Sequence, residues 1–202
     1  SKVLAGEVVT MSVDREHIPA KHRQLIRAFL DEADMSADAI KTVDFPPACG
    51  ADIVVSCEKT KDLKNGSIYL KPTQFVLGIG CRRGTAFENI DSAIRQSLLK
   101  LQIDISDIDM IASIDVKKDE PGIKEFCDRN RIDFVTYTAD ELMAVQGEFS
   151  ASQFVKEHVG VDNVCERAAV LACSRECNKA GKLVYKKHKY DGVTVAAAKY
   201  PD

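Results

Sequence analysis

The sequence predicts an α/β fold in which a mixed sheet carries helices on its faces, preceded by a small α/β unit. Three observations predict it. From residue 75 onward, apolar runs of strand length alternate with segments of helical periodicity. Helix-start signals recur between them. The chain then closes with two apolar runs flanking Asp191-Gly192, a hairpin that adds antiparallel strands to the otherwise parallel order.

The elements follow in order. Gly6 to Val13 is mildly β-like. Pro19 suits a first helical turn, with Leu25, Ile26, Phe29 and Leu30 at helical spacing behind it. Phe45-Pro46-Pro47 is a break, Ala51 to Ser56 a short strand, and Asn65-Gly66 a tight turn before Ser67 to Leu70. Proline forces the residue before it into extended backbone, so Lys71-Pro72 marks a boundary. The expected organisation is a small linking α/β region over 1–71 and a larger domain over 72–202.

In the larger region Phe75 to Ile79 reads as a buried strand running into Gly80-Cys-Arg-Arg-Gly84. Thr85 and Glu88 have capping-box spacing and predict a helix start at Thr85, with Ile90, Ile94, Leu98 and Leu101 on one face. Met110 to Ile114 is a second strand, and Pro121 opens a helix with Ile123, Phe126 and Cys127 inward. Phe134 to Thr136 is a third strand. Thr138 with Glu141 and Ser150 with Gln153 repeat the capping-box spacing, and Asn163 with Glu166 precedes an Ala-rich helix from Val164 to Cys173. Leu183 to Lys187 and Val193 to Ala198 form the closing hairpin.

Bulk properties exclude several function classes. The 202 residues carry a net charge of -3, with 45% hydrophobic and 29% charged residues, so no basic field points to nucleic acid. There is no Trp and the aromatics are scattered, which argues against base stacking. No apolar run is long enough to span a membrane, and Ser1 to Thr10 lacks the apolar stretch of a secretion signal. The seven cysteines are odd in number and widely spaced, the pattern of reduced thiols in the cytoplasm. Cys173 and Cys177 could share a helix face, but no second Cys or His pair stands at zinc spacing, so no metal site is expected. Small buried side chains near a helix end are the expected role.

Two loops carry the candidate chemistry. Ligands of open α/β sheets bind beyond the carboxyl ends of the strands, where Gly80, Cys81, Arg82, Arg83, Gly84 and Thr85 fall. The glycines allow close approach, free helix N–H groups favour an anion, and the two guanidinium groups grip carboxylate or phosphate. The competing reading is a tight turn with solvated arginines. The loop lacks the ending of a P-loop and misses the dinucleotide fingerprint by one residue. Cys81 is placed where a helix N-terminus and arginines lower a thiol pKa, though packing is its commoner role. The second loop crowds Ser113, Asp115, Lys117, Asp119 and Glu120 after a strand, where a carboxylate beside a lysine suits general acid–base work, against a competing reading of helix capping and solvated lysines.

Four ordered segments carry a resemblance to a known family. Phe75-Val-Leu-Gly-Ile-Gly-Cys-Arg-Arg-Gly84, Ile111-Ala-Ser-Ile-Asp-Val-Lys-Lys-Asp-Glu120, Val159 to Ala169 and Val193-Thr-Val-Ala-Ala-Ala198 resemble the C-terminal domain of the CbiG family, and CobE is similar to this domain alone. The first 71 residues resemble the region that precedes that domain. The family's N-terminal domain has no counterpart here, and a start at Ser1 favours a piece of a longer protein. The resemblance implies cobalamin biosynthesis by the anaerobic route: hydrolysis of the lactone of cobalt-precorrin-5A, with release of acetaldehyde. It implies a cobalt-containing tetrapyrrole as ligand, other corrin-pathway enzymes as candidate partners, and no cofactor of the protein's own, since the cobalt travels with the substrate. Expected substrate-binding residues are Gly80, Cys81, Arg82, Arg83, Gly84, Thr85 and Ser113. Expected catalytic residues are Asp115, Glu120, Lys117 and Glu166. Two further readings stay open: a corrinoid-binding module without chemistry, and an α/β enzyme for a small phosphorylated ligand.

Overall fold

The computed structural model describes residues 8–14, 18, 22–23, 25–28, 40–45, 50–56, 66–150, 160–177 and 180–201. They belong to two compact units, one within residues 1–73 and the other Gln74–Pro201.

In the first unit, β1 (Val9–Val13), β2 (Ile40–Val43), β3 (Ile53–Val55) and β4 (Ile68–Leu70) form a sheet in the order β2-β1-β3-β4, every pairing parallel. Residues 22–23 and 25–28 are helical, within the segment read as a helix; Phe29, Leu30, Asn65 and the Pro46-Pro47 break lie outside the described residues. Met11, Val13, Ile18 and Val55 make the core. Strand β2 was not expected: Lys41 and Thr42 are both exposed, so the segment shows no apolar alternation. Because β4 lies parallel to β3, the turn at Gly66 cannot close a hairpin between them.

The second unit contains β5 (Phe75–Cys81), α1 (Phe87–Leu101), β6 (Ile108–Ile114), α2 (Pro121–Asn130), β7 (Asp133–Tyr137), α3 (Ala139–Ala144), α4 (Val164–Cys177), β8 (Lys182–Tyr190) and β9 (Val193–Lys199). Its sheet runs β7-β6-β5-β9-β8, with β5, β6 and β7 parallel and β9 antiparallel to both its neighbours. This is the mixed sheet that the closing hairpin predicts. Gly192, in the turn of that hairpin, takes a φ of +79°, which glycine adopts without strain.

Successive residues of β5 point to opposite faces, and that alternation builds the two cores. Leu77 and Ile79 pack with Ile90, Ile94 and Leu98 of α1 and with Ile123 and Phe126 of α2. Val76 lies on the other face, under Val164, Ala168, Ala169, Ala172 and Cys173 of α4. The small residues of α4 let it lie close to the sheet. Gly78 sets the limit: a Cβ there would stand 1.7 Å from the carbonyl oxygen of Cys165. Cys173 is fully buried in this core and touches the chain at Gly181, in keeping with a packing role.

Helix starts separate the correct expectations from one that fails. Thr138 and Glu141 form a reciprocal capping box, and the Asn163 carboxamide oxygen accepts the Glu166 N–H at 3.0 Å at the start of α4. Pro121 is at the first turn of α2. Helix α1, however, begins at Phe87 with Ala86 as its uncapped start. Thr85 does not cap it, because its hydroxyl donates instead to the Arg82 carbonyl at 2.8 Å. Gln153 lies outside the described residues, and Ser150 binds Glu166. No helix among the described residues is long and apolar enough to cross a membrane.

Candidate functional site

The carboxyl ends of β5 and β6 lie side by side, so the loops that follow them meet. The first, residues 82–86, turns at Gly84 with a φ of +73°. Arg82 and Arg83 project from it, both exposed and neither in an ion pair among the described residues. The Arg82 amide donates to the Gly192 carbonyl at 3.4 Å, tying the loop to the hairpin turn.

The second loop starts with a 3-10 turn over Asp115–Lys117 and ends at Glu120. The Glu120 side chain turns away from its own helix and reaches across to the first loop. Its Oε1 accepts the N–H of Gly84 at 2.5 Å and of Thr85 at 3.2 Å, and its Oε2 accepts the Lys117 ammonium at 2.9 Å. The paired side chains are only 13% exposed for Lys117 and 4% for Glu120. The loops meet backbone to backbone at Gly122, where a Cβ would stand 2.3 Å from the Thr85 carbonyl oxygen.

This geometry corrects one expectation. The N–H groups of Gly84 and Thr85 are not free for an incoming anion, because the protein's own carboxylate occupies them. Glu120 is the N-cap residue of α2 but makes no side-chain cap bond, because both its oxygens are engaged elsewhere. Among the described residues, the guanidiniums of Arg82 and Arg83 are left open for an anion at this edge, with the exposed Lys118 in the second loop. Asp115, half-buried at the start of the second loop, keeps a carboxylate without a hydrogen-bond or ion-pair partner among the described residues. Exposed beside it is Val116, an apolar surface among charges.

Cys81 lies within reach of the Lys117, Glu120 and Thr85 side chains. Burial pushes its thiol above the usual range, the Glu120 charge adds to this, and the Lys117 ammonium and a Thr85 hydrogen bond only partly oppose it. The expected lowering by helix and arginines is therefore reversed, which disfavours a thiolate nucleophile. Ser113 is fully buried and donates to the Ile79 carbonyl at 2.7 Å, joining β6 to β5 instead of facing a ligand. Gly80 supports a similar tie: the Thr194 hydroxyl donates to its carbonyl at 3.1 Å, and a Cβ on Gly80 would collide with that hydroxyl.

Glu166 is separate from this loop pair. It is fully buried at the start of α4 and accepts the Ser150 N–H at 2.8 Å, the Ser150 hydroxyl at 2.9 Å and the Lys187 N–H at 2.6 Å. The Lys187 N–H needs that acceptor because the β8 ladder is irregular between Tyr185 and His188. The carboxylate is consumed in holding backbone. Asn163 completes the arrangement by donating to the Ser150 carbonyl at 2.8 Å.

Some polar groups at strand ends carry no sequence signal. In the first unit the buried Asp14 accepts the Ser56 hydroxyl at 3.1 Å, joining the ends of β1 and β3. In the second, the Tyr200 hydroxyl donates to Asp109. Each pairs residues far apart in the chain within a segment that reads as ordinary strand or tail.

Comparison with known proteins places this geometry in a family context. The family described as "Cobalamin synthesis G C-terminus" matches residues 75–198. A probable cobalt-precorrin-5A hydrolase of Methanocaldococcus jannaschii is 32% identical over 146 residues, 70% of this chain and 45% of that protein. The cobalt-precorrin-5A hydrolase of Priestia megaterium is 31% identical over 144 residues, 71% of this chain and 37% of that protein. The chain thus spans less than half the length of these curated relatives. Among solved structures, that of CobE, a protein from the cobalamin biosynthetic pathway, superposes with a TM-score of 0.59 at 26% identity, over 62% of this chain and 89% of that one.

Proposed function

The chain belongs to the cobalamin synthesis G C-terminus family, and on that premise we propose that it binds cobalt-precorrin-5A and takes part in hydrolysing its lactone. The observation that carries the reading is the pair of guanidiniums, Arg82 and Arg83, unpaired among the described residues at the carboxyl end of β5, with the Asp115 carboxylate at the carboxyl end of the neighbouring strand β6. A corrin precursor bears several carboxylates on its rim, and guanidinium is suited to grip them bidentately. The exposed Val116 offers an apolar surface for the macrocycle face.

In this reading water adds to the lactone carbonyl and the acyl C–O bond breaks, leaving a carboxylate and a hydroxyl on the two-carbon fragment. That hydroxyl then loses its proton and becomes the aldehyde as the fragment's C–C bond to the macrocycle breaks, the electron pair staying on the macrocycle. Arg82 or Arg83 stabilises the negative charge developing on the carbonyl oxygen. Asp115 accepts the proton of the attacking water, the role for which Glu120 and Glu166 have no oxygen to spare. The chain supplies the fold around the substrate, and the cobalt arrives with it.

The test is acetaldehyde release on anaerobic incubation with cobalt-precorrin-5A, read through a coupled reductase. Release by the parent chain, lost in Asp115→Asn, supports the hydrolase. Bound macrocycle without release supports a second reading, a corrinoid-binding module. The observation favouring it is that the chain covers 45% and 37% of the two hydrolases but most of the shorter CobE.

A further inference from the structure

Resting on the reading above, we propose that Glu120 and Lys117 are a positioning pair: Glu120 serves as a built-in anion that holds the Gly84–Thr85 turn in shape, so that substrate is recognised through Arg82 and Arg83 and not through the N–H groups of that turn. Four features of the site support it. Both carboxylate oxygens are taken up, one by the two backbone N–H groups and one by Lys117. The pair is nearly buried, so its opposite charges cancel and residues 82–86 present the charge of the guanidiniums. Gly84 takes a left-handed conformation that turns its N–H toward Glu120. Gly122 lets the start of α2 seat directly on the Thr85 backbone, which brings Glu120 within reach.

A consequence for ligand choice follows. A turn with open N–H groups takes small inorganic anions such as phosphate. With a carboxylate already seated on Gly84 and Thr85, phosphate cannot enter that nest. The site then selects ligands whose carboxylates meet exposed guanidiniums, which is the chemistry of a polycarboxylate macrocycle.

The experiment compares the parent chain with Glu120→Asp and with the double variant Glu120→Gln, Lys117→Met by amide hydrogen exchange at Gly84 and Thr85 and by absorbance titration with cobalt-precorrin-5A and with inorganic phosphate. Aspartate is one methylene short of the two N–H groups. The double variant keeps an oxygen at the same reach, and methionine removes the ammonium that the glutamine –NH2 would face, so the pair stays neutral. Exchange at both amides should quicken at least about tenfold in Glu120→Asp and stay within about threefold of the parent in the double variant, since the bonds to this side chain control local opening. Macrocycle affinity should fall about tenfold in Glu120→Asp and stay near the parent's in the double variant, with phosphate binding weak in the parent. Unchanged exchange in Glu120→Asp, fast exchange in the double variant, or tight phosphate binding by the parent would overturn the proposal. A parent chain that binds no macrocycle would sink the functional reading, while the exchange rates would still decide the positioning role. If Glu120→Asp does not fold, protection in the double variant decides it.

Discussion

The absent side chain of Gly78 is what allows the Cys165 carbonyl to sit against β5: a Cβ would stand 1.7 Å from that oxygen, 2.7 Å from the carbonyl carbon and 3.0 Å from the Ala169 nitrogen. All three are helix backbone and cannot rotate away. Adding the methyl forces α4 to lift from the sheet, separating Val76 and Ala198 from Ala168, Ala169 and Ala172. We predict that Gly78→Ala costs about 3 kcal/mol or more, at the upper end of overpacking effects. Urea unfolding followed by circular dichroism measures it, and a loss under about 0.5 kcal/mol would contradict the close approach.

The start of α4 depends on two polar side chains, and removing either should cost stability independently of any ligand. Asn163→Ala loses both a helix cap and the bond to the Ser150 carbonyl, and should cost about 1–2 kcal/mol. Glu166→Gln keeps the shape but turns an acceptor into a donor facing donors at Ser150 or Lys187, and should cost about 2 kcal/mol or more. Thermal melts test both. A Glu166→Gln chain as stable as the parent would contradict the assignment of that carboxylate to structure.

How far the fold could be read from sequence follows from the same elements. Strand β5 and the helices α1, α2 and α4 were legible because apolar periodicity and local helix-start chemistry act over a few residues. Strand β2 was not, since its exposed Lys41 and Thr42 carry no pattern. The site was half legible. The run Gly80 to Thr85 marked the loop, and Asp115 to Glu120 marked its partner. That Glu120 fills the N–H groups of Gly84 and Thr85 is a contact across 36 and 35 residues, which local spacing does not encode. The same holds for Glu166, whose partner Lys187 is 21 residues away in an irregular strand. The misplaced helix start at Thr85 has a local cause: its hydroxyl donates to the Arg82 carbonyl three residues earlier.

Acid sensitivity should trace in part to Asp162. Hydrogen bonds from the Arg167 guanidinium hold its carboxyl below the usual range, against the opposing effect of partial burial. Arg167 is itself fixed by the Leu142 and Val145 carbonyls and lies over the Phe149 ring. A carboxyl with a depressed folded-state pKa stabilises the fold above its unfolded value of about 3.9, and that contribution is lost as pH falls through the folded value. Asp162→Asn should therefore be less stable than the parent by about 1–2 kcal/mol at pH 7, with the gap closing below about pH 4. Urea midpoints across pH 2.5 to 7 check this, and a gap that stays constant with pH would refute the charge assignment.

Docking of a carboxylate-rich macrocycle on Arg82 and Arg83 is decided by equilibrium titration with cobalt-precorrin-5A. We measure affinity for the parent, for Arg82→Ala and Arg83→Ala singly and together, and for Arg82→Lys, in low and moderate salt. Affinity should fall about tenfold for each single alanine variant and more for the pair, with incomplete rescue by lysine and weaker parent binding as salt rises. Binding that is equally tight in the parent and the double variant would contradict it and move the substrate away from the loop after β5.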